Sequence, residues 1–152
     1  MSEALQAEAR RRLEELVSFF GVNAEAEVRQ TEEGIELDLA STPATPRLIG
    51  HRGETLRAIE FLVNQMIKHT DGDAPRVLVD VAGYKKARRA SLEEMAREVA
   101  QRVVETGREE ELKPMNPAER RIVHMALREI PEVATESRGE DRSRRIVVLP
   151  AA

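Results

Sequence analysis

The stretch LIGHRGETLRAIEFLVNQMI, residues 48–67, places two glycines three positions apart just before an amphipathic run. His51 and Arg52 lie between Gly50 and Gly53, so two potential cations precede the predicted start of a helix. Glycine permits positive φ and lets another molecule approach the main chain. Exposed N–H groups at such a turn and at a helix amino terminus favour an anion. The stretch therefore predicts a phosphate-binding loop or, more simply, a turn that only joins two helices.

The composition is that of a globular chain without cysteine chemistry. The sequence has 152 residues, of which 41% are hydrophobic, with no cysteine and three histidines. Disulfides and thiolate metal sites are therefore excluded, and the histidines lack metal-ligand spacing. No apolar stretch approaches the roughly 18 residues of a membrane span, and the amino terminus has no signal-peptide segment. We expect a cytoplasmic protein with no bound metal and no cofactor.

The charge is unevenly distributed, although its net value is only −4. Residues 1–40 carry 4 basic and 10 acidic side chains, whereas residues 41–152 have a net charge of +2. Local clusters decide whether an anionic partner can bind, more than the total charge does. The basic clusters are His51 with Arg52; Lys85, Lys86, Arg88 and Arg89; Arg120 with Arg121; and Arg142, Arg144 and Arg145.

Hydrophobic periodicity predicts an alternation of helices and strands. Apolar residues that recur every three or four positions indicate helices, and strict alternation indicates strands. In the first half the predicted elements are a helix at 3–20, a hairpin with strands at 22–28 and 35–39, a short helix at 46–49, a helix at 56–67 and a strand at 76–81. In the second half they are a helix at 84–106, an extended piece at 112–115, a helix at 117–129 and strands at 133–137 and 144–149.

Two motifs in this order resemble known families. The elements around LIGHRGETL resemble a type II KH domain, a family that binds single-stranded nucleic acid. The second half resembles the R-three-H domain, named for an arginine followed four positions later by a histidine, here Arg120 and His124 in ERRIVH. With GYKKARR between the two units and PMNPAERR before the signature, the chain is similar to the bacterial Jag (SpoIIIJ-associated) family from about residue 4 to Pro150.

The resemblance implies the fold and its division into domains. We expect an α+β protein with a type II KH domain (α-β-β-α-α-β) at residues 1–83 and a small α/β R-three-H domain at residues 84–150, joined through a long helix. Many Jag proteins carry a separate amino-terminal domain, for which we expect no counterpart here. His51 stands where the loop usually has a second permanent cation, which makes phosphate binding weaker or pH-sensitive.

The resemblance also implies a function and partners. It implies a cytoplasmic regulatory protein that binds single-stranded RNA and is linked to cell-envelope growth or membrane-protein insertion. The implied partners are a small KH-domain protein and a membrane insertase.

The predicted KH contacts combine the glycine loop with an apolar groove. KH loops clamp about four nucleotides by the backbone. By resemblance, the bases would lie on a groove beside the loop. The predicted RNA-binding residues are Leu48, Ile49, Gly50, His51, Arg52, Gly53 and Leu56, with Ile59 and Leu37 completing the groove.

The basic run at the start of the helix at 84–106 is unfavourable by itself. Cations near a helix amino terminus cost about 0.3 to 1 kcal/mol each. Of Lys85, Lys86, Arg88 and Arg89, only the last has an acid four positions later on the same helix. We therefore expect these residues to contact an anionic partner. The alternative is a solvated helix face with internal pairing.

Arg120 and His124 lie one turn apart on a helix face that borders the apolar arc. There the guanidinium and the imidazole could bind one phosphate, with Arg121, Arg144 and Arg145 as further cations. The alternative is structural: a histidine bonded to a backbone carbonyl and an arginine paired with a carboxylate.

Two other functions compete with single-stranded RNA binding. The chain could bind single-stranded DNA, or it could be a protein–protein adaptor that uses the KH fold and the acidic amino-terminal half as a dimer or partner surface. Catalysis is disfavoured, because no convergent set of nucleophile, base and metal ligands is visible. With three Phe, one Tyr and no Trp, base stacking on an aromatic platform is also disfavoured.

Overall fold

The structure, a computed structural model, describes residues 2–152. The chain divides into two compact units, one that ends at Lys85 and one that runs from Lys86 to Ala152. Helices and strands are mixed in both units, so the fold is α+β. The predicted domains 1–83 and 84–150 stay predictions, since a division by contacts does not show that either unit folds alone. Within the described residues, no helix is long and apolar enough to cross a membrane.

The first unit follows the predicted order of elements. Its elements are α1 (Glu3–Ser18), β1 (Ala26–Thr31), β2 (Gly34–Leu39), α2 (Thr45–Ile49), a 3₁₀ turn (His51–Gly53), α3 (Glu54–Thr70) and β3 (Val77–Val81). The prediction that the first strand begins near Val22 is wrong. Ala26 pairs with Leu39, the last residue of β2, so residues 22–25 have no strand to pair with.

The sheet of the first unit has the order β1-β2-β3. The pair β1 and β2 is antiparallel, and the pair β2 and β3 is parallel. A parallel pair requires a crossover connection, which α2 and α3 supply. Leu13 of α1, Leu37 of β2 and Val63 of α3 are all fully buried. The helices thus bury their apolar stripes against one hydrophobic core that includes the central strand.

Side chains of α3 close the outer edge of β3. The Asn64 amide donates to the Val77 carbonyl at 2.7 Å and accepts the Val77 N–H at 2.9 Å. The Glu60 carboxylate accepts the Val79 N–H at 2.9 Å. An edge strand normally exposes unpaired N–H and C=O groups. Here side chains of α3 bond three of these groups on β3, the N–H and C=O of Val77 and the N–H of Val79.

The second unit packs two helices on a three-stranded sheet. Its elements are α4 (Tyr84–Thr106), which begins before the division between the units, β4 (Glu110–Glu111), α5 (Pro117–Arg128), β5 (Val133–Arg138), a 3₁₀ turn (Asp141–Ser143) and β6 (Arg145–Pro150). The strands are antiparallel in the order β4-β6-β5. Val99 of α4, Val123 of α5 and Val148 of β6 are buried in its core.

A side-chain cap fixes the start of α5. The Asn116 side chain accepts the Glu119 N–H at 3.0 Å, and Pro117 occupies the first turn, where its missing N–H costs nothing. Arg120 and His124 both lie within the helix that starts here. They are therefore one turn apart on the same helix, as predicted from their spacing.

Candidate nucleic-acid interface

The predicted loop is a tight turn whose backbone is left-handed at three residues. Gly50 has φ 70° and ψ −172°, a region that is essentially restricted to glycine. Arg52 and Gly53 have φ of 51° and 76°. The left-handed conformation costs an ordinary residue about 1 to 2 kcal/mol. The bend therefore requires glycine at Gly50 and is easier with glycine at Gly53.

The protein itself makes the close approaches that these glycines permit. A Cβ on Gly50 would lie 2.2 Å from the Oγ1 of Thr55. A Cβ on Gly53 would lie 2.8 Å from the Cε1 of Tyr84. These close contacts within the protein are enough to explain why glycine occupies both positions. Evidence for phosphate binding must therefore come from the other residues of the loop.

Hydrogen bonds within the loop occupy several amides that could have bound phosphate. The Gly50 N–H donates to a carbonyl of α2 at 2.9 Å, and the Gly53 N–H lies 3.4 Å from the Gly50 carbonyl oxygen. The Glu54 N–H donates to the His51 carbonyl. His51 is exposed and Arg52 is half-buried. An anion at this loop would therefore meet side chains and the amino end of α3, rather than a ring of open amides.

The apolar groove predicted for the bases is closed. Leu48 and Leu56 are 0% and 1% exposed, and Leu37 and Ile59 are also buried in the core. Apolar residues at helical spacing fill the space between these helices and the sheet. Leu48 and Leu56 are therefore core residues in this structure, and their role as base contacts stays a prediction that their burial does not support. Ile49 is only half-buried.

The basic run at the start of α4 is compensated across elements. Lys85 forms an ion pair with Glu60 of α3, and its N–H donates to the Asp80 carboxylate at 3.2 Å. The Arg88 guanidinium donates to the Glu119 carboxylate at 2.8 Å. The expectation that this run lacks compensation is therefore wrong, because it counted only acids on the same helix.

The other two cations of this run, Lys86 and Arg89, are exposed, as the prediction of an anionic partner requires. Arg89 pairs with Glu93, the acid four positions later, at 3.0 Å, and its side chain is 65% exposed. Lys86 is exposed. The run thus offers an anionic partner two exposed cations instead of four.

A hollow of about 460 Å³ in the second unit collects residues of the R-three-H signature. It is lined by Arg120, Arg121, His124 and Met125 of α5, by Thr135, Glu136 and Ser137 of β5, and by Ile146 of β6. Five residues of the R-three-H domain were predicted to contact nucleic acid. Three of them, Arg120, Arg121 and His124, line this one hollow. The motif spacing is what puts them on the same side of α5.

Arg120 and His124 are each held by a neutral partner. The Arg120 guanidinium donates to the Met115 carbonyl at 2.8 Å. The His124 Nδ1 lies 2.6 Å from the Thr135 Oγ1. The alternative in which these residues are only structural predicted a carboxylate partner for Arg120 and a backbone carbonyl for His124. Both predicted partners are wrong. Because a carbonyl carries no net charge, the positive charge of Arg120 is not cancelled by this bond.

Two further arginines border the hollow without an acidic partner. Arg121 is exposed and forms no ion pair with any residue in the range 2–152. The Arg144 Nε donates to the hydroxyl of Ser137, a lining residue, at 3.0 Å. Arg145 differs, since it pairs with Glu111 of β4 at 3.2 Å and does not line the hollow. The prediction that Arg145 joins the cluster is therefore not supported by the geometry.

The acid that lines the hollow, Glu136, is paired with a basic residue outside the hollow. The Glu136 carboxylate pairs with Arg138 at 3.3 Å, and Arg138 also pairs with Glu109 at 3.0 Å. Hydrogen bonds to the carboxylates of Glu109 and Glu136 raise the pKa of Arg138 above its ordinary value. The hydrogen bond from Arg138 lowers the pKa of Glu109. Arg138 is thus shared between two carboxylates and offsets the charge of Glu136 only in part, while Arg120, Arg121 and His124 are the basic side chains that line the hollow.

The side chains around the hollow suit an oxygen anion better than a metal. Within residues 2–152, no group of three or more histidine, aspartate or glutamate side chains could hold a metal ion. Guanidinium groups bind phosphate by charge-assisted hydrogen bonds, often in pairs, and an imidazole N–H adds a directional donor. The arrangement therefore has side chains whose chemistry suits a phosphate.

Thr135 and Ser137 are the site residues that the sequence analysis missed. The predicted strand at 133–137 included both, but the search for binding residues considered only cations, glycines and apolar side chains. Alternation puts them on the same face of β5 as the buried Val133. Hydroxyl residues that continue a buried face are the signal that could have identified them.

Comparison with known proteins places the chain among relatives. The R-three-H domain family matches residues 90–150. An RNA-binding protein KhpB of Clostridium symbiosum is 34% identical over 148 residues, which are 96% of this chain and 66% of that protein. The Bacillus subtilis KhpB is 34% identical over 103 residues, or 66% of this chain and 50% of that protein.

Other relatives are longer. A Streptococcus pneumoniae KhpB is 30% identical over 102 residues, which are 67% of this chain and 31% of that protein. This chain therefore spans between about a third and just under two thirds of the length of these relatives. The second unit contains an R-three-H domain, and the chain belongs to the KhpB proteins, the Jag family that its motifs resemble.

Proposed function

We propose that this protein binds single-stranded RNA by its sugar-phosphate backbone, with the hollow of the second unit as the principal phosphate site. The observation that carries the proposal is the convergence of Arg120, Arg121 and His124 on that hollow, where neither arginine is paired with an acid. RNA is favoured over DNA because the relatives are named as RNA-binding proteins.

The first unit supplies a second, weaker contact. His51 is exposed at the amino end of α3, a position that favours an anion, and Arg52 lies beside it. The element order and the parallel pairing of β2 and β3 support a type II KH domain. Because the apolar groove is filled, this unit would hold the backbone of the strand and not its bases.

The protein is not an enzyme, as its R-three-H domain and its KhpB relatives indicate. Binding is then the function that the cationic hollow can perform. The cytoplasmic location, the link to cell-envelope growth or membrane-protein insertion, the small KH-domain partner and the insertase all remain predictions from resemblance.

A protein–protein adaptor is the second candidate. Phe19 and Phe61 of the first unit are 88% and 61% exposed, which is unusual for large apolar side chains. An adaptor that uses this unit would not need the cationic hollow. RNA binding that depends on Arg121 therefore separates the two functions.

The test is a titration of a fluorescent single-stranded oligouridylate with matched charge reversals. Arg121→Glu is compared with Arg108→Glu, since both residues are exposed arginines and only Arg121 lines the hollow. We expect the affinity of Arg121→Glu to fall at least about tenfold, since hydrogen bonds to charged groups contribute about 1.5 to 3 kcal/mol. The Arg108 variant should bind nearly as the parent does. Equal affinities of the two variants would refute the hollow as the site.

The loop is tested in the same titration. His51→Asp is compared with His69→Asp, which changes an exposed histidine at the other end of α3. A smaller loss, of about two- to fivefold, is expected for His51→Asp only, because a surface charge contact is worth less than about 1 kcal/mol. If both variants bind equally well, the loop does not contact the strand.

A further inference from the structure

The outer edge of β5 carries main-chain groups that the sheet does not use. β5 is the terminal strand in the order β4-β6-β5. The Ala151 N–H donates to the Glu132 carbonyl at 2.9 Å, which continues the register of β5 and β6. Hydrogen-bonded positions alternate along an antiparallel pair. Even-numbered residues of β5 therefore bond to β6, and the N–H and C=O groups of Thr135 and Ser137 point away from the sheet.

The hollow borders β5 over three consecutive residues. Thr135, Glu136 and Ser137 are consecutive, and all three line the hollow. Successive side chains of a strand point to opposite faces, so a cavity on one face would contact only alternate residues. Contact with three residues in a row indicates that the hollow, which also reaches Ile146 of β6, touches the main chain of β5 as well as its side chains. The outward groups of Thr135 and Ser137 are spaced by two residues, about 6.8 Å.

We propose that the outer edge of β5, at Thr135 and Ser137, binds the bases of the single strand whose phosphate is held in the adjoining hollow. This inference rests on the proposed function and adds to it the place where bases are contacted. Outward N–H and C=O groups offer a donor and an acceptor to the hydrogen-bonding edge of an unpaired base. Such edges are the parts of single-stranded RNA that proteins read.

The charges beside this edge favour a nucleic acid over a peptide strand. An extended peptide could also pair with an open strand edge. The hollow next to β5, however, presents Arg120, Arg121 and His124 against one acid, Glu136, which is itself paired with Arg138. A polyanion gains from these cations, whereas a neutral peptide does not.

The corresponding surfaces of the first unit are less open to a base than the edge of β5. In that unit the edge of β3 is bonded by Asn64 and Glu60, and the predicted apolar groove is part of the core. Both features are thus largely occupied by contacts within the first unit. In the second unit, β5 is an edge strand that borders a cationic site.

A proline at the outward position tests the proposal directly. Ser137→Pro removes an N–H that points away from β6, and proline is tolerated at such positions of edge strands. Ser137→Ala is the matched control, because it removes the same hydroxyl and its bond to Arg144 but keeps the N–H. Each variant is titrated, in the full chain, with an oligouridylate and with a sugar-phosphate strand of equal length that lacks bases.

The parent and Ser137→Ala should bind the oligouridylate about two- to tenfold more tightly than the abasic strand, the range expected for a hydrogen bond or two. Ser137→Pro should lose this preference and bind the abasic strand as Ser137→Ala does, since both variants lack the hydroxyl that bonds to Arg144. The proposal is overturned if Ser137→Pro keeps the preference, or if the parent binds both strands equally. If the parent binds both strands equally, it binds the sugar-phosphate backbone and does not contact the bases. If the parent binds neither strand, the proposed function fails as well.

A measurement on the parent protein covers the case in which Ser137→Pro does not fold. The amide resonances of Thr135 and Ser137 are followed by NMR during both titrations. Both strands should shift them, because Thr135 and Ser137 line the phosphate site, but the oligouridylate should shift them further than the abasic strand does. Equal shifts with both strands, or no shift, would contradict base contact at this edge. Shifts caused by an uncharged extended peptide and not by RNA would identify the edge as a peptide site instead.

Discussion

The Arg88 guanidinium and the Glu119 carboxylate form a two-point ion pair between α4 and α5. The Arg88 Nε lies 2.8 Å from the Glu119 Oε1, and a second nitrogen lies 3.4 Å from Oε2. Glu119 is 5% exposed and is the only charged residue that the structure buries among residues 2–152. This pair connects the start of α4 to the helix that carries the R-three-H signature. Arg88 is therefore engaged within the second unit, and its role as an RNA contact stays a prediction.

Removal of Arg88 should destabilise the second unit. Arg88→Ala leaves the Glu119 carboxylate buried without its cation, which typically costs several kcal/mol. Because the Arg88 side chain is 30% exposed, we expect a smaller loss, about 2 to 3 kcal/mol in the free energy of unfolding. Urea unfolding followed by circular dichroism measures it. Arg89→Ala, on the same helix, should cost less than about 0.5 kcal/mol. Equal losses in the free energy of unfolding would show that the buried pair stabilises the unit no more than the exposed pair of Arg89 does.

A side chain at Gly50 should also destabilise the fold. Gly50→Ala places a Cβ 2.2 Å from the Thr55 Oγ1 and forces alanine to a φ of 70°. Strained backbone of this kind costs about 1 to 3 kcal/mol. Gly72→Ala is the control, because no atom lies within 4 Å of the position of its added Cβ. Thermal unfolding of the two variants should differ clearly, and similar midpoints would mean that the turn can rearrange.

Asn64 should be important for stability although it contributes no apolar surface. Asn64→Ala leaves both main-chain groups of Val77 without their side-chain partner. An unsatisfied buried group costs about 1 to 3 kcal/mol, so a loss in that range is expected in urea unfolding. Gln65→Ala, at an exposed position of the same helix, should change stability by less than about 0.5 kcal/mol. A loss no larger than that of the Gln65 variant would indicate that water replaces the amide.

Thr135 should tune RNA affinity through His124. Its hydroxyl lies 2.6 Å from the His124 Nδ1 and so orients the ring in the hollow. Thr135→Val has nearly the same shape but cannot form this bond, and we expect about two- to tenfold weaker RNA binding. Thr135→Ser keeps the hydroxyl and should retain most of the affinity. If the serine variant is as weak as the valine variant, the methyl group and not the hydroxyl matters.

Local patterns in the sequence were sufficient to predict most elements of the fold. The apolar stripe of α3 and the alternation in β3 are local signals, and the structure has both elements within a few residues of the prediction. The first strand was predicted too early, since Val22 is buried without being paired. Alternation alone cannot distinguish packing against a core from pairing in a sheet.

The errors at the candidate sites come from contacts between residues distant in the sequence. Lys85 and Arg88 find their acids 25 and 31 positions away, at Glu60 and Glu119, beyond the reach of a helix-spacing argument. Leu56 has the right spacing for a groove and equally for a core, and only the fold decides between them. Arg120 and His124 were predicted together because a motif fixes their spacing on one helix.

The salt dependence of RNA binding tests the central claim most directly. For single strands, the slope of log affinity against log salt is about −0.7 for each phosphate neutralised. With cations at the hollow and at the loop, we expect saturable binding of an oligouridylate with a slope of about −2, and a slope shallower by about 0.7 for Arg121→Ala. Absence of saturable binding, or an affinity that does not change with salt, would contradict backbone recognition by this protein.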